Sequence, residues 1–244
     1  MRRAFAVFRR EMLSYFTSPV AYIILFVFLL VNGVIFYYYL QAFGGRMSDI
    51  TRVLYGEVVF WFLALLIPPL LTMRSFSEEK KSGTFELLVT TGISDAALIA
   101  GKFFAAWCYF MLLWACLWPY FLMFEYAGDP EWGIWIAFQY GIALLGSVFC
   151  ATGILASSLT QNQLVAASVG TVINLLVFFL NYFRFLFQPG DLALRYFDYI
   201  SPVFHFTNDY TNGLIDLRYL VLYGSVTLLF LFGAAKALEW RRWW

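Results

Sequence analysis

Residues able to do chemistry are scarce in this chain. His205 is the single histidine. No second histidine or cysteine stands near it, so it reads as a structural or interfacial residue rather than a metal ligand or a base. Cys108, Cys116 and Cys150 all fall inside apolar runs, and no CxxC pair occurs. That pattern argues against a zinc site or a disulfide framework and for small buried apolar residues. The nearest approach to a phosphate loop is Ala96–Lys102, ending Gly101-Lys102. It lacks the opening glycine and the following Ser or Thr, so it cannot cradle phosphates as a P-loop does. No catalytic, metal or cofactor site is expected in this chain. What remains is a densely charged stretch from Arg74 to Lys81, followed by Ser82, Gly83, Thr84, Phe85, Glu86, Leu87 and Leu88.

The elements that must position that stretch are apolar. Of the 244 residues, 62% are hydrophobic and only 13% charged, too few charges for the surface of a soluble domain of this size. Aromatic residues reach 22%, which suits lipid-facing helices with belts at the headgroups. A net charge of +1 gives no reason to expect a nucleic-acid partner. A spanning helix needs about 20 mostly apolar residues. Six segments qualify, at 19–41, 58–73, 96–124, 133–159, 164–187 and 219–238. The first apolar run, Val20 to Tyr39, is too long for a signal-peptide core and lacks a small-residue cleavage site, so it is expected to remain as an anchor. Pro119 predicts a kink near the end of the third span.

Before the first span, Phe5, Phe8, Met12 and Phe16 recur at helical spacing, which predicts an interfacial helix over residues 1–17 lying in the headgroups. Ser18-Pro19 then starts the span, since proline is tolerated in a first helical turn. Lysine and arginine placement sets the orientation. With the N-terminus inside, the inner segments hold Arg2, Arg3, Arg9, Arg10, Arg74, Lys80, Lys81, Lys102, Lys236, Arg241 and Arg242. The outer ones hold only Arg46, Arg52, Arg184, Arg195 and Arg218. Both termini are therefore expected in the cytoplasm. The span interiors are read as free of Asp, Glu, Lys, Arg and His, with Asn32, Gln139, Asn174 and Asn181 as interhelical hydrogen-bonding groups. Gly141, Gly146, Gly153, Ala166 and Gly170 would allow close helix packing, mostly within the chain.

An ATP-independent channel or carrier is the rival reading, but such a device ordinarily needs an ionisable relay at membrane depth. Two connections are longer than a hairpin needs. The inner loop, residues 75–94, is expected to carry a short amphipathic helix that Ser82 caps and Gly92 ends, with Phe85, Leu88 and Val89 as its apolar ridge. The outer segment, residues 188–218, contains apolar stretches too short to span, which predicts short helices that dip into the membrane or lie on it.

The run from Arg74 to Leu88, followed by Ile93-Ser-Asp and Gly101-Lys102, closely resembles the signature of ABC-2 type permeases. Within that family it looks most like the membrane subunits of the gliding-motility and nitrous-oxide-reductase-maturation systems. Ala156–Ala166, Ser201–Phe206 and Asn212–Asp216 are similar to further stretches of the family. The resemblance implies an all-α integral membrane protein, a single transmembrane domain over residues 1–244. Its six spans would have an N-terminal elbow helix and short re-entrant helices between spans five and six. It implies a bacterial inner-membrane location, and it implies export, or mechanical work, driven by a separate cytoplasmic ABC ATPase that binds the ATP and Mg. A second permease copy or paralogue and membrane lipids are the other implied partners. The second outer loop is short, so any periplasmic reach would come from a partner subunit. The docking and coupling residues the resemblance implies are Glu78, Glu79, Gly83, Thr84, Phe85, Glu86, Leu87 and Leu88.

Overall fold

A computed structural model of the chain describes residues 2–42, 58–84, 93–120, 122, 132–183, 186–187 and 191–240. Every regular element among them is helical. The order is α1 (Arg2–Thr17), α2 (Pro19–Ala42), α3 (Val58–Thr72), α4 (Arg74–Lys81), α5 (Asp95–Ala115), α6 (Trp132–Leu159), α7 (Gln163–Phe183), α8 (Leu192–Ile200) and α9 (Leu217–Trp240). Between α8 and α9 the chain winds through three short helical pieces, Pro202–Phe204, His205–Asp209 and Tyr210–Asn212. Among the described residues, six helices are long and apolar enough to cross a membrane.

The bundle is organised around α6, which packs on α3, α4, α5, α7 and α9 and has buried residues all along its length, from Ile134 to Ser158. Its small residues let these neighbours come close. A Cβ on Gly153 would overlap Thr72 Oγ1 and come within 3.4 Å of the Pro69 backbone. Gly141, Gly146 and Gly170 likewise face aromatic or proline side chains of this same chain. By contrast α2, α7 and α9 leave most of their apolar surface uncovered, as helices facing lipid or a partner do.

Two boundaries differ from the sequence expectation. The second span does not stop at Met73. After a one-residue turn the helix resumes as α4, so residues 74–81 prolong the span instead of opening a loop. Glu and Lys are good helix formers, Lys80 and Lys81 favour a helix C-terminus, and Ser75, Phe76 and Ser77 are buried against the bundle. The third span turns at Cys116 and Leu117 before a last helical turn at 118–120. Pro119 has no N–H for the Ala115 carbonyl, and its ring crowds that carbonyl.

The segment between α8 and α9 inserts aromatic side chains into the bundle. Phe206 packs on Phe60, Trp61 and Phe138, and Tyr210 sits against Gly141. His205 is buried, stacked on Tyr219 with ring centroids 3.7 Å apart. Its Nε2 lies 3.1 Å from the Tyr199 carbonyl, which can only accept, so Nε2 carries the proton. Nδ1 then accepts from the Tyr223 hydroxyl at 3.0 Å. This is the structural histidine that its isolation in the sequence implied.

Candidate functional site

The segment leading to residues 85–92 is anchored at three levels. Pro68 and Pro69 interrupt the hydrogen-bond ladder of α3, and the Leu65 carbonyl loses its helical donor to Pro69. Asn174 of α7 supplies a replacement: its Nδ2 donates to Leu65 O at 3.2 Å, while its Oδ1 accepts from Thr152 of α6 at 2.6 Å. The expectation of interhelical bonding thus holds at Asn174, and at Asn181, whose Oδ1 accepts from Ser201 at 3.2 Å. It fails at Asn32, which donates to Phe28 O of its own helix.

One turn further on, Ser157 of α6 fills the joint between α3 and α4. Its Oγ accepts from the Phe76 and Ser77 amides at 3.0 and 3.1 Å and donates to Met73 O at 3.1 Å. A hydroxyl here replaces a missing turn of backbone bonding and satisfies the first amides of α4. Lys80 Nζ donates to Ser158 O, which fastens the far end of α4 to the end of α6.

The third level is a charge cluster at the junction of α1, α4 and α5. Lys102 lies in the second turn of α5, and its side chain is 1% exposed. The reading that no charge enters the spans is corrected at this residue. A buried ammonium must find partners for its three donors, and Lys102 has three: Ser75 O at 2.6 Å, Glu79 Oε1 at 2.8 Å and Glu11 Oε1 at 2.9 Å. The Phe76 ring lies beneath it, 5.1 Å away. Arg10 Nη2 bridges the same two carboxylate oxygens, each at 2.7 Å. Burial pushes the Glu11 carboxyl up, but Lys102 and Arg10 more than offset this and hold it below its usual range.

α1 reaches this cluster because Ala4, Val7, Glu11 and Tyr15 share one face. Gly101 lets that face approach: a Cβ there would sit 2.7 Å from Val7 Cβ. Tyr15 donates to Leu71 O at 3.0 Å. Phe5 and Phe16, two of the four residues read from the sequence as recurring at helical spacing, are exposed.

Of the residues singled out in the sequence, Glu79 is in the cluster, and Glu78 is exposed on α4. Ser82 stands at a helix end. It closes α4, its hydroxyl donating to Glu78 O at 2.9 Å. Gly83 follows with φ of +72°, a left-handed conformation that a Cβ disfavours. Thr84 is exposed and 3.4 Å from Glu79 O. Phe85, Glu86, Leu87 and Leu88 lie outside the described residues. Sequence reasoning missed Glu11, Lys102 and Ser157 as one unit with Glu79. The available signals were the lone acid of α1, one turn from Val7 and Tyr15, and a lysine about 10 Å inside a helix beside glycine.

Six membrane-crossing helices, one of them central and largely buried, with a charged joint at one end and no soluble domain among the described residues, define a multi-pass membrane protein. The model of the ABC-2 family transporter protein family matches residues 13–235, and the chain belongs to that family. It is an ABC transporter permease. A comparison with curated proteins gives no match.

Proposed function

We propose that this permease couples ATP hydrolysis by a separate cytoplasmic ATPase to export, or to mechanical work, across a bacterial inner membrane. The ATPase docks on the part of the 75–94 segment beyond the buried start of α4, residues 78–94, with Phe85 and Leu88 in a cleft of the partner and Glu86 beside them. ATP and Mg are bound by that partner, and this chain hydrolyses nothing. Two permeases, identical or paralogous, face each other, and residues 1–244 act as a single domain. α1 lies in the headgroups as an elbow, both termini are cytoplasmic, and residues 188–218 are external and dip into the membrane. The resemblance of residues 74–88 to the gliding-motility and nitrous-oxide-reductase-maturation permeases is the reason to place the chain near those systems.

The observation that carries this reading is the run of α3 into α4, which carries the second span as far as Lys81, a few residues short of residues 85–92 in the chain. Ser157 splints the joint at Met73, and Lys80 and Lys102 fasten α4 to α6, α1 and α5. A push on the loop would reach the second and fourth spans without slack.

The test is co-purification with the cognate ATPase. Phe85→Ala should release or uncouple the ATPase while the permease still inserts and extracts as a folded protein. Unchanged pull-down and unchanged ATP-dependent activity in Phe85→Ala and Glu86→Ala together would remove the loop from the mechanism.

A further inference from the structure

A cavity of about 560 Å³ opens between α1, α2, α3 and α4, next to the charge cluster. Val20 and Ile24 of α2 and Leu70 of α3 give it an apolar wall. The opposite wall is charged and balanced: Arg10, Arg74 and Lys102 against Glu11, Glu78 and Glu79. Lys102 and Arg10 pair with Glu11 and Glu79. Two side chains are left over. Arg74 and Glu78 are exposed, stand one helical turn apart on α4, and have no ion pair among the described residues.

These leftovers select a ligand. A simple anion would meet no net positive charge here, and a simple cation no net negative charge. A zwitterion meets both, because Arg74 and Glu78 offer opposite charges about 6 Å apart along the helix. A primary ammonium brings three N–H donors to the Glu78 carboxylate, and a quaternary ammonium brings none. The apolar wall continues onto the uncovered face of α2, where Ile23 and Val27 are exposed, so a hydrocarbon chain leaving the cavity stays on apolar surface.

We propose that this cavity holds the headgroup of a zwitterionic phospholipid that carries a primary ammonium. Its phosphate lies against Arg74 and the free guanidinium edge of Arg10. The ammonium lies against the exposed Glu78 carboxylate, and the first part of an acyl chain runs along Val20 and Ile24. A lipid seated there joins α2 to the α1–α4 junction and becomes part of the wall beside the ATPase-facing loop.

The experiment uses the full chain reconstituted in vesicles with equal parts phosphatidylethanolamine, phosphatidylcholine and phosphatidylglycerol. The chain is re-extracted, and its retained lipid is quantified by mass spectrometry. Phosphatidylethanolamine should be retained over each of the others by about tenfold, the scale of one hydrogen bond to a charged group. Arg74→Gln and Glu78→Gln should each reduce that preference. Both side chains are exposed, so an unchanged thermal transition is expected to show that the variants fold. Val20→Trp should lower retention by narrowing the apolar wall with every charge intact. Equal retention of the three lipids, or preference for phosphatidylglycerol, overturns the proposal. So does a preference that survives the Arg74→Gln/Glu78→Gln double variant. Soluble phosphoethanolamine displacing the lipid at equal concentration would identify a small-molecule site and overturn the assignment to lipid.

Discussion

Lys102 Nζ lies 2.8 Å from Glu79 Oε1, joining a residue two turns inside the third span to the helix that prolongs the second. The two side chains are 1% and 14% exposed, so the pair is removed from most solvent screening. Glu11 and Arg10 complete it from a third helix.

Breaking this cluster from one side is expected to destabilise the protein more than replacing it. Lys102→Met leaves two carboxylates sharing Arg10, at a cost of about 3–5 kcal/mol. Adding Glu79→Leu to Lys102→Met should recover part of that loss, because the second change removes an unpaired buried charge. Thermal unfolding of the four members of this cycle measures the coupling. Additive losses, with no recovery, would mean that the two residues act independently.

Asn174 and Pro69 should be coupled as well. Asn174→Leu leaves the Leu65 carbonyl without a donor, a loss of about 1–3 kcal/mol. In a Pro69→Ala background the residue 69 amide can bond Leu65 O itself, so the same Asn174→Leu change should cost less. An equal cost in both backgrounds would show that Asn174 acts through Thr152 alone.

Acid should act on two residues in separate pH windows. Burial lowers His205 from 6.5 to about 4, so between these values the unfolded chain takes up the proton more readily. Its stabilising contribution is complete above 6.5 and declines as pH falls toward 4. The Glu11 contribution is present above 4.5 and is lost only as pH falls through its lowered folded value. Stability measured from pH 8 to pH 4 should therefore slope downward in wild type. In His205→Phe the curve should be lower overall but flatter between 6.5 and 4.5. An identical slope in the variant would take His205 out of the acid response.

Orientation is testable by labelling. A cysteine at Asp191 should react with an impermeant thiol reagent added outside intact cells, and one at Lys81 should react only after permeabilisation. The reverse pattern would invert the proposed topology.

The spans were legible in the sequence because hydrocarbon imposes a length and composition that a single helix must satisfy by itself. Family membership was legible for a similar reason, since the run from Arg74 to Leu88 is a contiguous word. Even His205 could be read correctly, from its isolation. The end of the second span could not. Whether residues 74–81 continue a helix depends on Ser157, 80 positions away, accepting from the amides of Phe76 and Ser77. The same holds for Lys102. Read along the chain it is one more inner-side cation, and only the packing of α1 through Val7 and Gly101 brings Glu11 to it. Local composition decides whether a segment can enter the membrane. Which buried charge meets which is decided by close approach between helices, a long-range geometric fact that no window of residues contains.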